Sequence, residues 1–352
     1  MPTLLGQNQY GKAENRVVRV VRDGDTHHIR DLSVSVALSG DLDAVHHSGD
    51  NAHVLPTDTT KNTVFAFARK YGIDSPEQFG LLLARHFADT QDAIHRARVR
   101  VEEYAWDRIP GAHGHSFVRR GRETRTAQIR YDGEHCEVVG GLKDLTVLNT
   151  TDSEFWGYAK DEYTTLQETH DRILATDVTA CWRYAWTGEG GDGDGGVRAP
   201  DWNRSYERAR DRILAAFAET YSYSLQQTLY QMGTRVIEGS EEDVRAGAPD
   251  AGEGLGAAAG DAGEDRGAAA GDGAGGVGGD AAGRGAVAVD EIRFSLPNNH
   301  HFPVDLRPFG LDNETPDGAV YFAADRPYGL IEATVLRDGA EARIPADMTA
   351  PA

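Results

Sequence analysis

Ile29-Arg30-Asp31-Leu32-Ser33-Val34-Ser35-Val36-Ala37-Leu38 places Leu32, Val34, Val36 and Leu38 at every second position. That is the period of a strand with one face in a core. The run Arg16 to Arg22 precedes it across the turn Asp23-Gly24-Asp25, so the two read as a hairpin. Two helical stretches follow, Lys61 to Lys70 and Pro76 to His95. The second opens with Ser75 as N-cap, Pro76 at the first helical position and Gln78 at the third, with Phe79, Leu82, Leu83 and Phe87 as its buried stripe. Strands are expected over Ala97 to Trp106 and Gln128 to Tyr131, with a lead-in at Ser116 to Arg119. Residues 1–140 therefore form a ββααββ unit.

The same order returns in residues 141–340. Strands near Leu145 to Asn149 and Val178 to Tyr184 precede helices around Ser205 to Glu219 and Ser222 to Glu238. Strands at Ile292 to Leu296, His301 to Leu306 and Gly329 to Leu336 come last. The fold class is α+β, two tandem units whose helices cover one face of an antiparallel sheet. The other face and the edges need covering, which points to a hollow barrel built from several copies. Residues 239–290 interrupt the second unit with 16 Gly and 15 Ala, 11 acidic residues, 3 basic ones and no aromatic. Such a segment buries too little apolar surface to offset its ordering entropy, and reads as a disordered acidic insertion. Thr187 to Gly196 has the same character, and residues 341–352 read as a flexible tail.

The chain has 352 residues, a net charge of -20, and only five lysines beside 31 arginines. That balance argues against nucleic acid and anionic membranes, which need clustered cations. No apolar run is long enough to span a bilayer. The acidic excess fits either adaptation to concentrated salt or a coding bias toward Arg, Ala, Gly and Asp. Cys136 and Cys181 are too few for a disulfide framework and lack metal spacing. The start, Met1-Pro2-Thr3-Leu4-Leu5-Gly6, has no secretory pattern, so the cytoplasm is expected.

Four polar blocks stand out: Gln9-Tyr10-Gly11-Lys12; Thr57-Asp58-Thr59-Thr60-Lys61-Asn62-Thr63; Phe155-Trp156-Gly157-Tyr158 with Asp171-Arg172; and Ser224-Leu225-Gln226-Gln227 with Ser295-Leu296-Pro297-Asn298-Asn299-His300-His301-Phe302. Bland readings exist for each. Lys12 suits a solvated surface, Thr57 and Asp58 a helix cap, Phe155 and Trp156 a core, and Pro297-Asn298 a wide turn. Adjacent histidines on a strand face opposite ways, so His300 and His301 do not share a metal.

In order and spacing these blocks resemble the urate oxidase family over most of residues 8–336, outside the insertion. The resemblance implies two tunnelling-fold domains per subunit and a homotetramer with active sites at subunit interfaces. It also implies an oxidation of urate by O2 to 5-hydroxyisourate and hydrogen peroxide that needs no cofactor and no metal. Residue by residue, it implies that Arg172 and Gln226 grip urate, Phe155 stacks on it, and Leu225 contributes a backbone contact. Thr57 and Asp58 would reach the substrate from the adjacent subunit. Lys12, Thr57 and His300 match a proton relay, and Asn298, with Thr57, the oxygen site. These types suit the chemistry: Arg offers a fixed donor fork, Gln a donor and an acceptor, and an aromatic ring holds a plane. Leu225 stands where relatives often carry Val, Asn299 and His170 also differ from some relatives, and the end Met348 to Ala352 lacks a peroxisomal address. On residues alone, a noncatalytic purine-binding protein on this fold and a metal-dependent hydrolase remain open.

Overall fold

The computed structural model describes residues 3–111, 113–188, 200–247, 285–313 and 318–349. The opening hairpin is β1 (Tyr10–Asp23) and β2 (Thr26–Gly40), turned at Gly24 with φ +54°. A short helix α1 (Asp43–Ser48) leads to α2 (Thr57–Lys70) and α3 (Pro76–Thr90). Strands β3 (Ile94–Glu103), β4 (Trp106–Arg108), β5 (Phe117–Arg119) and β6 (Thr124–Tyr131) close the first half. The second half runs β7 (Cys136–Asn149), β8 (Leu174–Tyr184), α4 (Trp202–Glu219), α5 (Leu225–Gly247), β9 (Val289–Pro303) and β10 (Tyr321–Leu336). Eight strands make one antiparallel sheet in the order β1-β2-β3-β6-β7-β8-β9-β10, with β4 and β5 as a separate pair.

The expected α+β class with helices on one sheet face is what the structure has. Leu32, Val34, Val36 and Leu38 of β2 meet Val64 of α2 and Phe79, Leu83 and Phe87 of α3 in one buried cluster. The cluster continues through Trp182, Ile292 and Phe294 to Ile213 of α4 and Leu229 and Met232 of α5. Ser75 caps α3 as expected, its Oγ accepting from Gln78 N–H at 3.1 Å. Leu82 is only half-buried, and Leu81 takes its place in the core.

Four boundaries differ from the sequence reading. Helix α3 stops at Thr90, because residues 94–103 are needed as the partner of β2. Strand β7 begins at Cys136, paired with Tyr131 through a turn in which the Asp132 carboxylate accepts from Glu134 and His135 N–H. The two strands expected around Pro297 are one: β10 supplies ladder partners from Glu291 to Pro303, and pairing overrides the local turn preference. Helix α5 continues to Gly247, and buried Ser240 holds the start of β9 by accepting from Val289 N–H at 2.9 Å. The insertion's edges at 239–247 and 285–290 are thus ordered structure. Its remainder, residues 248–284, lies outside the described residues, as do 189–199 of the shorter loop.

The expected loose tail is also held, up to Thr349. Fully buried Glu291 accepts from Arg343 N–H at 2.8 Å and Ile344 N–H at 2.9 Å, while Arg183 donates to the same carboxylate at 3.2 Å. Ile344 packs on Val139 and Cys181, on the sheet face away from the helices. Glu291→Ala is expected to cost about 1–3 kcal/mol, because Arg343 and Ile344 N–H lose their acceptor while Arg183 keeps Asp290. Urea unfolding measures this loss, and new tryptic cleavage at Arg343 of the folded protein should accompany it. Replacing residues 248–284 by a short linker should leave the melting temperature unchanged. Removing 239–247 as well should lower it, since Ser240 leaves with them.

Candidate active site

Lys12, Thr57 and Asp58 come together at one edge of the sheet. The Tyr10 hydroxyl in β1 accepts from Leu55 N–H at 2.9 Å and so ties the lead-in of α2 to the strand that carries Lys12. Burial raises the Tyr10 pKa and this bond opposes it. Helix α2 starts at Thr57 behind Pro56, and no side chain caps it. The capping role considered for Thr57 is not seen, and Thr57 and Asp58 are both exposed. Asp58 instead pairs with Lys61 and accepts from Asn62 at 3.0 Å. Lys61 foremost, with Lys12 adding a smaller attraction, holds the Asp58 carboxyl below its usual range. A bulge between Lys12 and Asn15, with Glu14 at φ +54°, turns the strand beside this group.

The other six residues gather at the far end of the sheet. Phe155 is fixed by reciprocal backbone bonds with Thr169, at 2.8 and 3.1 Å. The Arg172 guanidinium lies over the Phe155 ring, 5.2 Å from its centroid, and Tyr158 stacks on that ring at 4.9 Å. Helix α5 opens with Ser224 Oγ accepting from Gln227 N–H at 3.2 Å, while Gln227 Oε1 accepts from Tyr223 N–H at 2.8 Å. That is a variant of the Ser-x-x-Gln capping box. It leaves Leu225 buried and Gln226 exposed at the positive end of the helix dipole. Asn298 and His300 are two apart on β9, so they share a face, and a bulge in β10 between Ala324 and Gly329 lies opposite them.

His300 has its pKa lowered, first by partial burial, then by the positive charges of Arg172 and His301. Burial likewise lowers that of Arg172. A neutral imidazole can both accept and donate a proton near neutral pH. His301 turns away to contact the Asn299 carbonyl at 3.0 Å, as strand alternation requires. Among the described residues, no group of three or more His, Cys, Asp and Glu side chains is placed to hold a metal ion.

Sequence reading assigned no role to Ser153, Tyr158 or Thr176. Thr176 pairs directly with Asn298 across β8 and β9, is fully buried, and its hydroxyl has no hydrogen-bond partner among the described residues. Only the strand register identifies it. No hydrogen bond or ion pair joins the Lys12 group to the Arg172 group among the described residues. β1 and β9 stand six strand steps apart in the sheet order, on the order of 30 Å along the sheet.

The structure is thus that of an α+β protein with a guanidinium over an aromatic ring, an exposed amide at a helix start and a histidine of lowered pKa toward one end of its sheet. The uricase family model matches residues 8–130 and 138–332. The uricase of Arthrobacter globiformis is 44% identical over 342 residues, covering 97% of this chain and 93% of that protein. The uricase of Emericella nidulans is 34% identical, covering 94% and 96%. The crystal structure of the Arthrobacter globiformis uricase superposes with a TM-score of 0.77 at 43% identity, covering 99% of this chain and 100% of that one. The chain belongs to the uricase family, enzymes that oxidise urate.

The depressed His300 pKa gives a sign. The unfolded chain binds this proton more readily, so the group's contribution to stability is full above the ordinary histidine value of 6.5 and is lost as pH falls toward the folded value. In an NMR titration His300 should protonate below 6.5, and Arg172→Gln should move the midpoint upward. An unmoved midpoint would show that the Arg172 charge does not reach the ring.

Proposed function

We propose that the chain oxidises urate with dioxygen and water to 5-hydroxyisourate and hydrogen peroxide, without metal or organic cofactor. Atoms balance: urate, O2 and H2O give the hydroxylated ring and H2O2, and the two electrons leave the ring for oxygen. The observation that carries the reading is the division of the seven polar site residues and Leu225 between opposite ends of an open sheet, each set beside a helix N-terminus that favours an anion. Two copies are then needed for one site. The barrel expected from the sequence becomes a homotetramer in which the free edges β1 and β10 find partners, since bare edges invite pairing.

In that site Arg172 and Gln226 grip the urate edge, and Phe155 holds its plane. Leu225 lends its backbone N–H. Thr57 and Asp58 meet the ring from the neighbouring copy. Urate must lose protons before it can reduce oxygen, and Lys12, Thr57 and His300 form the path that takes them. The lowered pKa of His300 supports this role, because it favours the neutral imidazole, which can pass a proton in either direction. Asn298, beside Thr57 of the neighbour, holds oxygen or water above the ring. The described helices include none long and apolar enough to cross a membrane, and we place the protein in the cytoplasm.

Chelator-treated protein should consume urate, followed by its ultraviolet absorbance, with oxygen uptake and peroxide release in equal amounts. Urate binding without turnover would overturn the reading. Lys12→Met and Gln226→Ala should each lower kcat/KM by about 10²-fold or more. Co-expressed in one cell, the two variants should form mixed assemblies that regain activity, because some sites receive an intact half from each copy. No recovery would mean that one chain holds the whole site.

A further inference from the structure

Arg172 and Gln226 reach the same site from segments far apart in the chain, so something must fix the distance between them. Arg172 Nε donates to Ser153 Oγ at 3.1 Å, and Arg172 N–H donates to the Ser153 carbonyl at 2.9 Å. Ser153 is 1% exposed. One buried residue therefore holds the arginine at both its backbone and its head. With Nε used in this way and the guanidinium over Phe155, the two terminal nitrogens remain as a fork. They have no protein partner among the described residues.

The strip that carries Ser153 is joined to the residue that starts the Gln226 turn. Ser222 N–H donates to the Asp152 carbonyl at 2.8 Å, and Glu154 N–H donates to the Ser222 carbonyl at 2.8 Å. Ser153 and Ser222 lie side by side as a parallel bridge. Fully buried Thr228, in the first turns of α5, donates its hydroxyl to Ser222 Oγ at 2.9 Å; the Ser224 carbonyl is 3.2 Å away. Gln226 sits between Ser224 and Thr228, so its turn is bound to the same strip that holds Arg172.

We infer that Ser153 and Thr228 are positioning residues whose buried hydroxyls, one on Arg172 and the other on Ser222, set the spacing and plane between the Arg172 fork and the Gln226 amide, and with them the affinity for a flat ring of purine width. This rests on the urate reading above. Valine or alanine at these positions would pack as well as a hydroxyl. A buried hydroxyl is worth keeping only where its bonds are made, and here one bonds the Arg172 head itself and the other bonds Ser222 at the start of the Gln226 turn. Neither serine nor threonine touches the reacting atoms, so the effect belongs to binding and not to the chemical step.

The test is steady-state kinetics on urate with the full-length protein. Ser153→Ala and Thr228→Val should raise KM about tenfold with kcat within about twofold, since the first loses a bond to the charged Arg172 head and the second the bond that ties the Gln226 turn to the strip, while the proton path is intact. Thr228→Ser, which keeps the hydroxyl, should return KM to the wild-type value. Melting temperatures are measured beside them. A KM unchanged in both Ser153→Ala and Thr228→Val, or a Thr228→Ser variant as weak as Thr228→Val, overturns the inference while wild-type turnover keeps the urate reading. A wild type inactive on urate overturns both. Should Ser153→Ala fail to fold, the Thr228 pair alone decides.

Discussion

Antiparallel pairing obliges each strand to have a neighbour, and this sheet runs out of neighbours at β1 and β10. Everything about the site follows from that open ladder. The strands that carry Lys12 and His300 lie toward opposite ends, and a row of six strand spacings separates them. Among the described residues no hydrogen bond or ion pair joins the two groups. The edges that would invite aggregation are also the surfaces a symmetric assembly can use.

The two halves solve the same local problem twice. In each, a hairpin is followed by helices that cover the sheet, and a helix begins beside a strand that carries polar site residues. Helix α2 presents Thr57 and Asp58, and α5 presents Leu225 and Gln226. A helix start carries unpaired N–H groups and a positive partial charge, so it favours an anion before any side chain is counted. Bulges then adjust the strands, one after Lys12 and one opposite His300. A small irregularity in a regular ladder turns side chains toward a ligand without unfolding the sheet.

Charged groups hold these parts in place where apolar contact ends. Arg125, nearly buried, joins Glu77 of α3 at 2.6 Å and Glu103 of β3 at 3.7 Å, and it also donates to Asn203 at 2.8 Å. That cluster links the helices of both halves under the sheet. Burial pushes the Glu77 carboxyl upward while Arg125 opposes it. On the other face, Arg183 and Glu291 anchor the end of the chain, through bonds to Arg343 and Ile344 and a 3.1 Å bond to the Glu341 carbonyl. Removing one carboxylate from either cluster leaves a nearly buried arginine with fewer acceptors, which makes the clusters directional as well as stabilising.

The alternation from Leu32 to Leu38, the Ser75-Pro76 start and the stripe through Phe79, Leu83 and Phe87 are local signals, and they determined the hairpin, the main helices and the α+β class. The motif blocks likewise singled out the polar side chains that the sheet gathers toward its two ends, because residue type alone sets what an arginine fork, an amide or an imidazole can bond. Four matters were beyond local sequence. Pro297-Asn298 looks like a turn and is strand because β10 pairs with it. Gln91 to His95 looks helical and yields to the ladder of β2. The tail is polar and yet is held by a buried glutamate. Ser153 and Thr176 are ordinary residues until register and burial set one against Arg172 and the other against Asn298. In each case the deciding partner lies far away in the chain, and pairing energy that no short window contains outweighs local preference.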